Sequence, residues 1–202
     1  MIKTIFFDLG NVIIPFDFRP AVGHLAPHCT CPAEEIRARL RSTDLIRSFE
    51  TGRIDGPQFV AGLGTLLGMR MEYSAFCDLW SSIFLPEPLV PESLLVHLGR
   101  RHRLLVLSNT NPIHYQMIRA TYPLMRHFHG AVLSYEVGAL KPEPEIFEQA
   151  IARAGCKAEE IFFTDDLEVN VEAARRHGID AVQFQSADQI QRELHARGIT
   201  TE

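Results

Sequence analysis

The feature that most constrains this chain is a set of short apolar runs that are continuous rather than alternating. Lys3–Phe7 (KTIFF) stops at Asp8-Leu9-Gly10-Asn11, and Leu104–Leu107 (LLVL) stops at Ser108-Asn109-Thr110. Ala131–Leu133 is a weaker run, Ile161–Thr164 (IFFT) stops at Asp165-Asp166, and Ala181–Phe184 (AVQF) follows. A strand that is apolar at every position must be covered on both faces, which suits a parallel sheet. Helical patterns lie between the runs, over Pro91–Arg101, Pro112–Ala120, Glu143–Ala154 and Val169–His177. The third has apolar residues at Ile146, Phe147, Ala150 and Ile151, with Gly155 as its stop. Strand and helix thus alternate from about residue 91 onward, the pattern of a doubly wound α/β core.

Residues 15–85 differ. No good strand run occurs there. Pro32-Ala33-Glu34-Glu35 has the make-up of a first helical turn, Asp55 can cap a helix running to Leu67 before Gly68, and Glu72–Ser82 is a further helix. The proline-rich stretch 85–91 makes a stiff return. The expected organisation is a core of residues 1–14 and 86–202 carrying a helical insertion over 15–85. The net charge is −5 with no basic run, so nothing favours nucleic acid. The apolar opening is too short for a membrane span, and with no signal-peptide pattern the expected location is cytoplasmic. The four cysteines, among them Cys29 and Cys31, show no zinc-site spacing and are expected as reduced thiols. His127 and His129, two apart, would share a strand face, without a carboxylate or cysteine to complete a metal set. Nothing in the pattern selects an oligomeric state.

In open α/β sheets, ligands bind outside the carboxyl ends of the strands. Asp8, Ser108, Lys141 and the pair Asp165-Asp166 all fall at such ends or in the loops that follow. Three acids gathered at one edge repel one another and stay protonated unless a cation sits among them. An oxygen-rich site of this kind suits Mg²⁺. Lys141 and the N–H groups of the Leu9-Gly10 turn would then face the oxygens of a phosphoryl group.

These residues resemble the four ordered motifs of the haloacid dehalogenase superfamily. The motifs are Phe6-Phe7-Asp8-Leu9-Gly10-Asn11-Val12, Leu107-Ser108-Asn109-Thr110-Asn111, Gly138-Ala139-Leu140-Lys141-Pro142 and Phe162-Phe163-Thr164-Asp165-Asp166. The insertion resembles the superfamily's small helical cap. The Asp-Leu-Gly-Asn-Val opening is most similar to a bacterial branch that includes an α-glucose-1-phosphate phosphatase. The resemblance implies that Asp8 is the nucleophile and forms an aspartyl-phosphate. It implies that Asp8, the Gly10 carbonyl and Asp166 hold Mg²⁺, with Asp165 supporting them. It places Leu9, Gly10, Ser108, Asn109 and Lys141 around the substrate's phosphoryl group, with Asn170 in support. The expected substrate is a small phosphate ester, of a sugar such as an anomeric hexose.

One position departs from the pattern. Phosphatases of this superfamily usually carry a second Asp two residues after the nucleophile, as the acid/base group. Here Gly10 stands in its place. Such a group is typically worth about 10²–10⁴-fold. The gap points to a good leaving group or to another proton donor, for which Asp17 is the candidate. It also raises two alternatives: a 2-haloacid dehalogenase-like hydrolase, or a phosphate-binding protein with weak turnover. Phe16, Phe18, Phe49 and Trp80 are candidate pocket aromatics, and Arg47 and Arg53 candidate contacts to an anion.

Overall fold

The computed structural model describes residues 1–201. Its centre is a parallel sheet of five strands in the order β3-β2-β1-β4-β5. The strands are β1 (Thr4–Phe7), β2 (Arg103–Ser108), β3 (Ala131–Leu133), β4 (Ile161–Asp165) and β5 (Asp180–Gln183). Each apolar run of the sequence is one of them, with ends shifted by a residue or so. The sheet is built outward from β1 in both directions, so the strand order reverses there. That is the kind of position where an open α/β sheet has its crevice.

The continuous apolar runs are explained by the two layers they bury. In β1, Ile5 and Phe7 face one core and Phe6 the other. The first core also takes Leu94, Leu95 and Leu98, Ile118, and Ile190 and Leu194. The second takes Ile146, Phe147 and Ala150, and Val171, Ala173 and Ala174. Burying a Leu, Ile or Phe side chain contributes about 1.5–3 kcal/mol each, so these two layers dominate stability.

The helices of the segment between β1 and β2 are α1 (Arg19–Leu25), α2 (Ala33–Arg41), α3 (Leu45–Glu50), α4 (Gly56–Leu67), α5 (Tyr73–Ser81) and α6 (Glu92–Gly99). Asp55 caps α4: its carboxylate accepts from Gln58 N at 2.8 Å, and Gly68 ends the helix at φ 65°. Helices α1 to α5 surround a third core, where Phe49 stacks on Phe59 and Phe76 stacks on Trp80. The chain enters and leaves this unit as a paired ribbon. Phe16 bridges Phe84 in antiparallel fashion, Asp17 N donates to Ile83 O at 2.8 Å, and Leu85 N donates to Pro15 O at 2.9 Å. The remaining helices are α7 (Pro112–Thr121), α8 (Ser134–Val137), α9 (Pro144–Ala154), α10 (Glu168–Arg176) and α11 (Ala187–Ala196).

Four of these helices, α1, α3, α8 and α11, have no counterpart in the helical patterns of the sequence. Three are seven residues or fewer, too short to show a period. His127 and His129 are not on a strand. His127 ends a 3₁₀ turn and bonds Glu92, and His129 Nδ1 bonds the backbone of Leu104. All four cysteines are free. Among the described residues, no helix is long and apolar enough to cross a membrane.

Candidate active site

Parallel register is what brings the carboxylates together. Phe7 pairs with Thr164, so Asp8 and Asp165, one residue further along each strand, stand side by side on neighbouring strands. Asp8 N donates to Thr164 O at 3.0 Å, which continues the ladder to the last residue before the turn. Asp166 follows in the β4 loop. Single carboxylate oxygens of Asp8, Asp165 and Asp166 all lie within 4.8 Å of one another, close enough to share a metal ion.

The Lys141 ammonium sits inside this group. It is 2.9 Å from Asp8 Oδ1 and 2.6 Å from Asp165 Oδ2, and it donates to Leu107 O at 2.9 Å. Burial alone would lower its pKa, but the Asp165 and Asp8 carboxylates outweigh that and hold it above the ordinary lysine range. Asp8 moves the other way from an ordinary carboxylate. It is raised to about 7: burial pushes it up most, Lys141 pulls it down, Asp165 pushes it up, and hydrogen bonds from Lys141 and Ser108 pull it down. Burial and the neighbouring Asp165 raise Asp166 as well. One buried ammonium therefore does not balance three carboxylates. The unbalanced charge, the all-oxygen donor set and the spacing fit a hard divalent cation.

Each member is fixed by its neighbours. Asp8 Oδ1 accepts from Leu9 N at 2.7 Å. Asp165 is fully buried; its Oδ1 accepts from Leu167 N and Asn170 Nδ2, both at 2.9 Å, and its Oδ2 from Lys141. Asp165 is thus committed to holding other groups, and buried Asn170 holds Asp165. Asn11 takes φ 54°, a left-handed conformation that Asn tolerates. Its amide reaches Asp166 Oδ2 at 3.5 Å and accepts from Phe16 N at 3.3 Å. Ser108 is buried at the end of β2 beside Asp8.

Two expectations change. The sequence groups Asn109 with the phosphate-binding residues, but both ends of its amide grip the Lys141 backbone. Nδ2 donates to Lys141 O at 2.9 Å, and Oδ1 accepts from Lys141 N at 2.7 Å. Its side chain is a clamp on the lysine loop. Asp17 is a poor proton donor, because Arg19 surrounds its carboxylate. The contacts are 2.8 Å from Arg19 N and 2.9 Å from Nε, and they hold the acid below the usual range.

Phe16 is the neighbour that the sequence does not single out in this role. Its ring packs against Gly10, edge-on to Phe18 at 5.1 Å and to Phe84 at 6.1 Å. Beyond Phe18 lies a cavity of about 640 Å³ between the helical unit and α7, with Trp80, Glu50 and His114 in its wall. Phe18 and Trp80 therefore line a cavity, while Phe49 is core. Arg47 pairs with Glu143. His114 is buried and occupied: Nδ1 meets Asn111 Nδ2 at 3.1 Å and Nε2 meets Trp80 O at 3.0 Å. Burial lowers it to about 4.

A family model of haloacid dehalogenase-like hydrolases matches residues 2–178. Among curated proteins, the D-ribitol-5-phosphate phosphatase of Bacteroides thetaiotaomicron is 26% identical over 200 residues, covering 96% of this chain and 97% of that protein. Among solved structures, a haloacid dehalogenase-family enzyme of Bacteroides thetaiotaomicron in complex with magnesium and inorganic phosphate superposes with a TM-score of 0.83. It is 28% identical and covers 92% of this chain and 96% of that one. The L-2-haloacid dehalogenase of Xanthobacter autotrophicus shares the fold, with a TM-score of 0.62 at 21% identity over 99% of this chain and 85% of that one. The match spans the sheet edge where the acids converge and runs through the helical unit, and the chain belongs to the haloacid dehalogenase-like hydrolase family.

Proposed function

We propose that the protein is a Mg²⁺-dependent phosphatase that hydrolyses a small phosphomonoester, of the sugar-phosphate or polyol-phosphate class, through an aspartyl-phosphate on Asp8. The observation that carries this reading is the convergence of Asp8, Asp165 and Asp166 within 4.8 Å around a single buried lysine. A metal-free dehalogenase would have no use for the surplus of carboxylates. The full-length similarity to the D-ribitol-5-phosphate phosphatase supports the substrate class.

Asp8, Asp166 and the carbonyl of Gly10 would hold the cation, with Asp165 orienting them through Lys141 and Asn170. When bound, Mg²⁺ supplies positive charge that lets an anionic side chain approach an anionic ester. The Asp8 carboxylate attacks phosphorus, an acyl phosphate forms, and the ester's alcohol leaves with a proton taken up from its surroundings. Water then cleaves the acyl phosphate, releasing phosphate and restoring Asp8. The Lys141 ammonium and the Ser108 hydroxyl bind the phosphoryl oxygens, and the Asn109 clamp keeps Lys141 in place. Phosphoryl transfer depends mainly on positioning and charge neutralisation, so these groups can supply much of the rate. The free thiols fit a reducing compartment such as the cytoplasm.

Phosphate release from a panel of sugar and polyol phosphates, with Mg²⁺ and with chelator, tests this directly. Turnover is expected only with metal. Asp8→Asn is expected to fold normally and to lose at least about 10³-fold in kcat. Near-normal turnover by the variant would remove Asp8 as nucleophile.

A further inference from the structure

The cavity between the helical unit and α7 is lined by a half-buried carboxyl group, that of Glu50, which has no hydrogen-bond or ion-pair partner among the described residues. Its walls are mostly apolar, from Val22, Leu25, Leu40, Ile46 and Trp80. Of its polar groups, His114 has both ring nitrogens engaged and Asp17 is held by Arg19. Arg37 and Arg41 also line it and are exposed. Glu50 remains. Burial alone raises it to about 7, and no charge or hydrogen bond among the described residues offsets that burial. A carboxyl partly withdrawn from water in a mostly apolar wall has oxygens free to accept from a ligand hydroxyl.

Helix α3 ties this group to the reacting centre. Arg47 and Glu50 are three residues apart, so they share one face of the helix. On that face, Arg47 donates to Glu143. Glu143 Oε2 in turn accepts from Leu140 N at 3.0 Å, next to Lys141. Lys141 touches Asp8. The face of α3 that carries Glu50 is therefore the one turned toward the lysine loop and the sheet edge. From the Asp8 side, the contacts run through Gly10, Phe16 and Phe18 to the same cavity.

We propose that Glu50 is a specificity-determining residue: its carboxyl group takes a hydroxyl of the departing alcohol, whose carbon skeleton lies against Trp80, Leu25 and Ile46. The preferred ester then carries its phosphate at one end and a free hydroxyl further along a short chain. A plain alkyl phosphate of equal length would leave Glu50 unsatisfied. This rests on the phosphatase reading above. A site built to bond a hydroxyl discriminates strongly against an analogue that lacks it.

The test uses the Mg²⁺-loaded full chain and compares a pentitol 5-phosphate with n-pentyl phosphate in steady-state kinetics. The wild type is expected to prefer the pentitol ester at least about 10-fold in kcat/KM. Glu50→Leu is expected to lower that preference about 10-fold or more, with the change carried in KM. Glu50→Gln, which can still hydrogen-bond, is expected to keep part of it. Thermal unfolding of both variants checks that they fold. The wild-type preference surviving in folded Glu50→Leu would overturn the assignment while leaving the phosphatase reading intact. Equal rates on the two esters in the wild type would do the same. No turnover of any phosphate ester by the wild type would bring down both.

Discussion

The ring of Phe16 stands where a side chain on residue 10 would begin: a Cβ built on Gly10 would lie 2.5 Å from Phe16 Cε1. The place of the absent acid/base group is therefore taken by the edge of a half-buried ring, which must move aside for any side chain there. On the sequence alone, Gly10→Asp is the change that supplies the missing acid. With Phe16 in place, Gly10→Asp is expected to destabilise the protein by about 1–3 kcal/mol through overpacking, with no gain in rate. Adding Phe16→Ala should recover stability, and activity on esters with poor leaving groups should rise by at least about 10-fold. Urea unfolding and phosphate release, measured on both single variants and the pair, give the coupling between the two sites.

Lys141 is the counter-charge of two buried acids. Lys141→Met would leave Asp8 and Asp165 facing each other without it. The expected loss is about 3–5 kcal/mol of stability, because a buried charge is left uncompensated. Mg²⁺ should recover part of this by supplying positive charge at the same place. Denaturant unfolding of the variant with and without Mg²⁺ checks both statements.

Proton and cation compete for Asp8. Its carboxyl is raised to about 7, so below that pH it tends to carry a proton that a metal must displace. Mg²⁺ is therefore expected to raise Tm more at pH 8 than at pH 6. Stabilisation follows the ratio of free metal to its dissociation constant, about 2.7 kcal/mol at a hundredfold excess. A metal-induced Tm shift that stayed the same across this range would contradict a proton-linked site.

Glu50 makes stability depend on pH in the opposite sense from an ion-paired acid. Its folded-state pKa is raised from 4.5 to about 7, so the folded form binds the extra proton between those values. Stability from this group is present below pH 4.5 and is lost as pH rises through 7, by up to about 3 kcal/mol. His114, lowered to about 4, slopes the other way over its own window: the folded protein loses stability on acidification from 6.5 toward 4. Glu50→Gln is therefore expected to gain stability over the wild type at pH 8 and little at pH 5, as read by thermal unfolding.

The strands and the acid cluster were legible because both follow from short-range rules. A continuous apolar run has to be a covered strand, and polar residues just past its end fall on the ligand-binding edge of the sheet. The resemblance to four ordered family motifs groups these residues, but the pairing of β1 with β4 and the register that sets Asp8 beside Asp165 come from the folded sheet. The supporting contacts were not legible. Asn109 sits among residues that look like phosphate ligands, and only the folded loop shows its amide wrapped around the Lys141 backbone. Glu50 ends a helix of six residues, where a lone acid resembles any surface glutamate. Only the folded unit shows that it lines a cavity whose other walls come from α1, α2 and α5. Phe16 was legible as an aromatic near the pocket, but not as the residue that fills the space above Gly10.

The paired segments that lead into and out of the helical unit have a mechanical consequence. Two chains joined by main-chain hydrogen bonds bend as one ribbon, not as two separate tethers. Phe16 is part of that ribbon, through its bridge to Phe84. A displacement of the helices relative to the sheet would therefore carry the Phe16 ring with it, which ties the cover over Gly10 to the position of the whole helical unit.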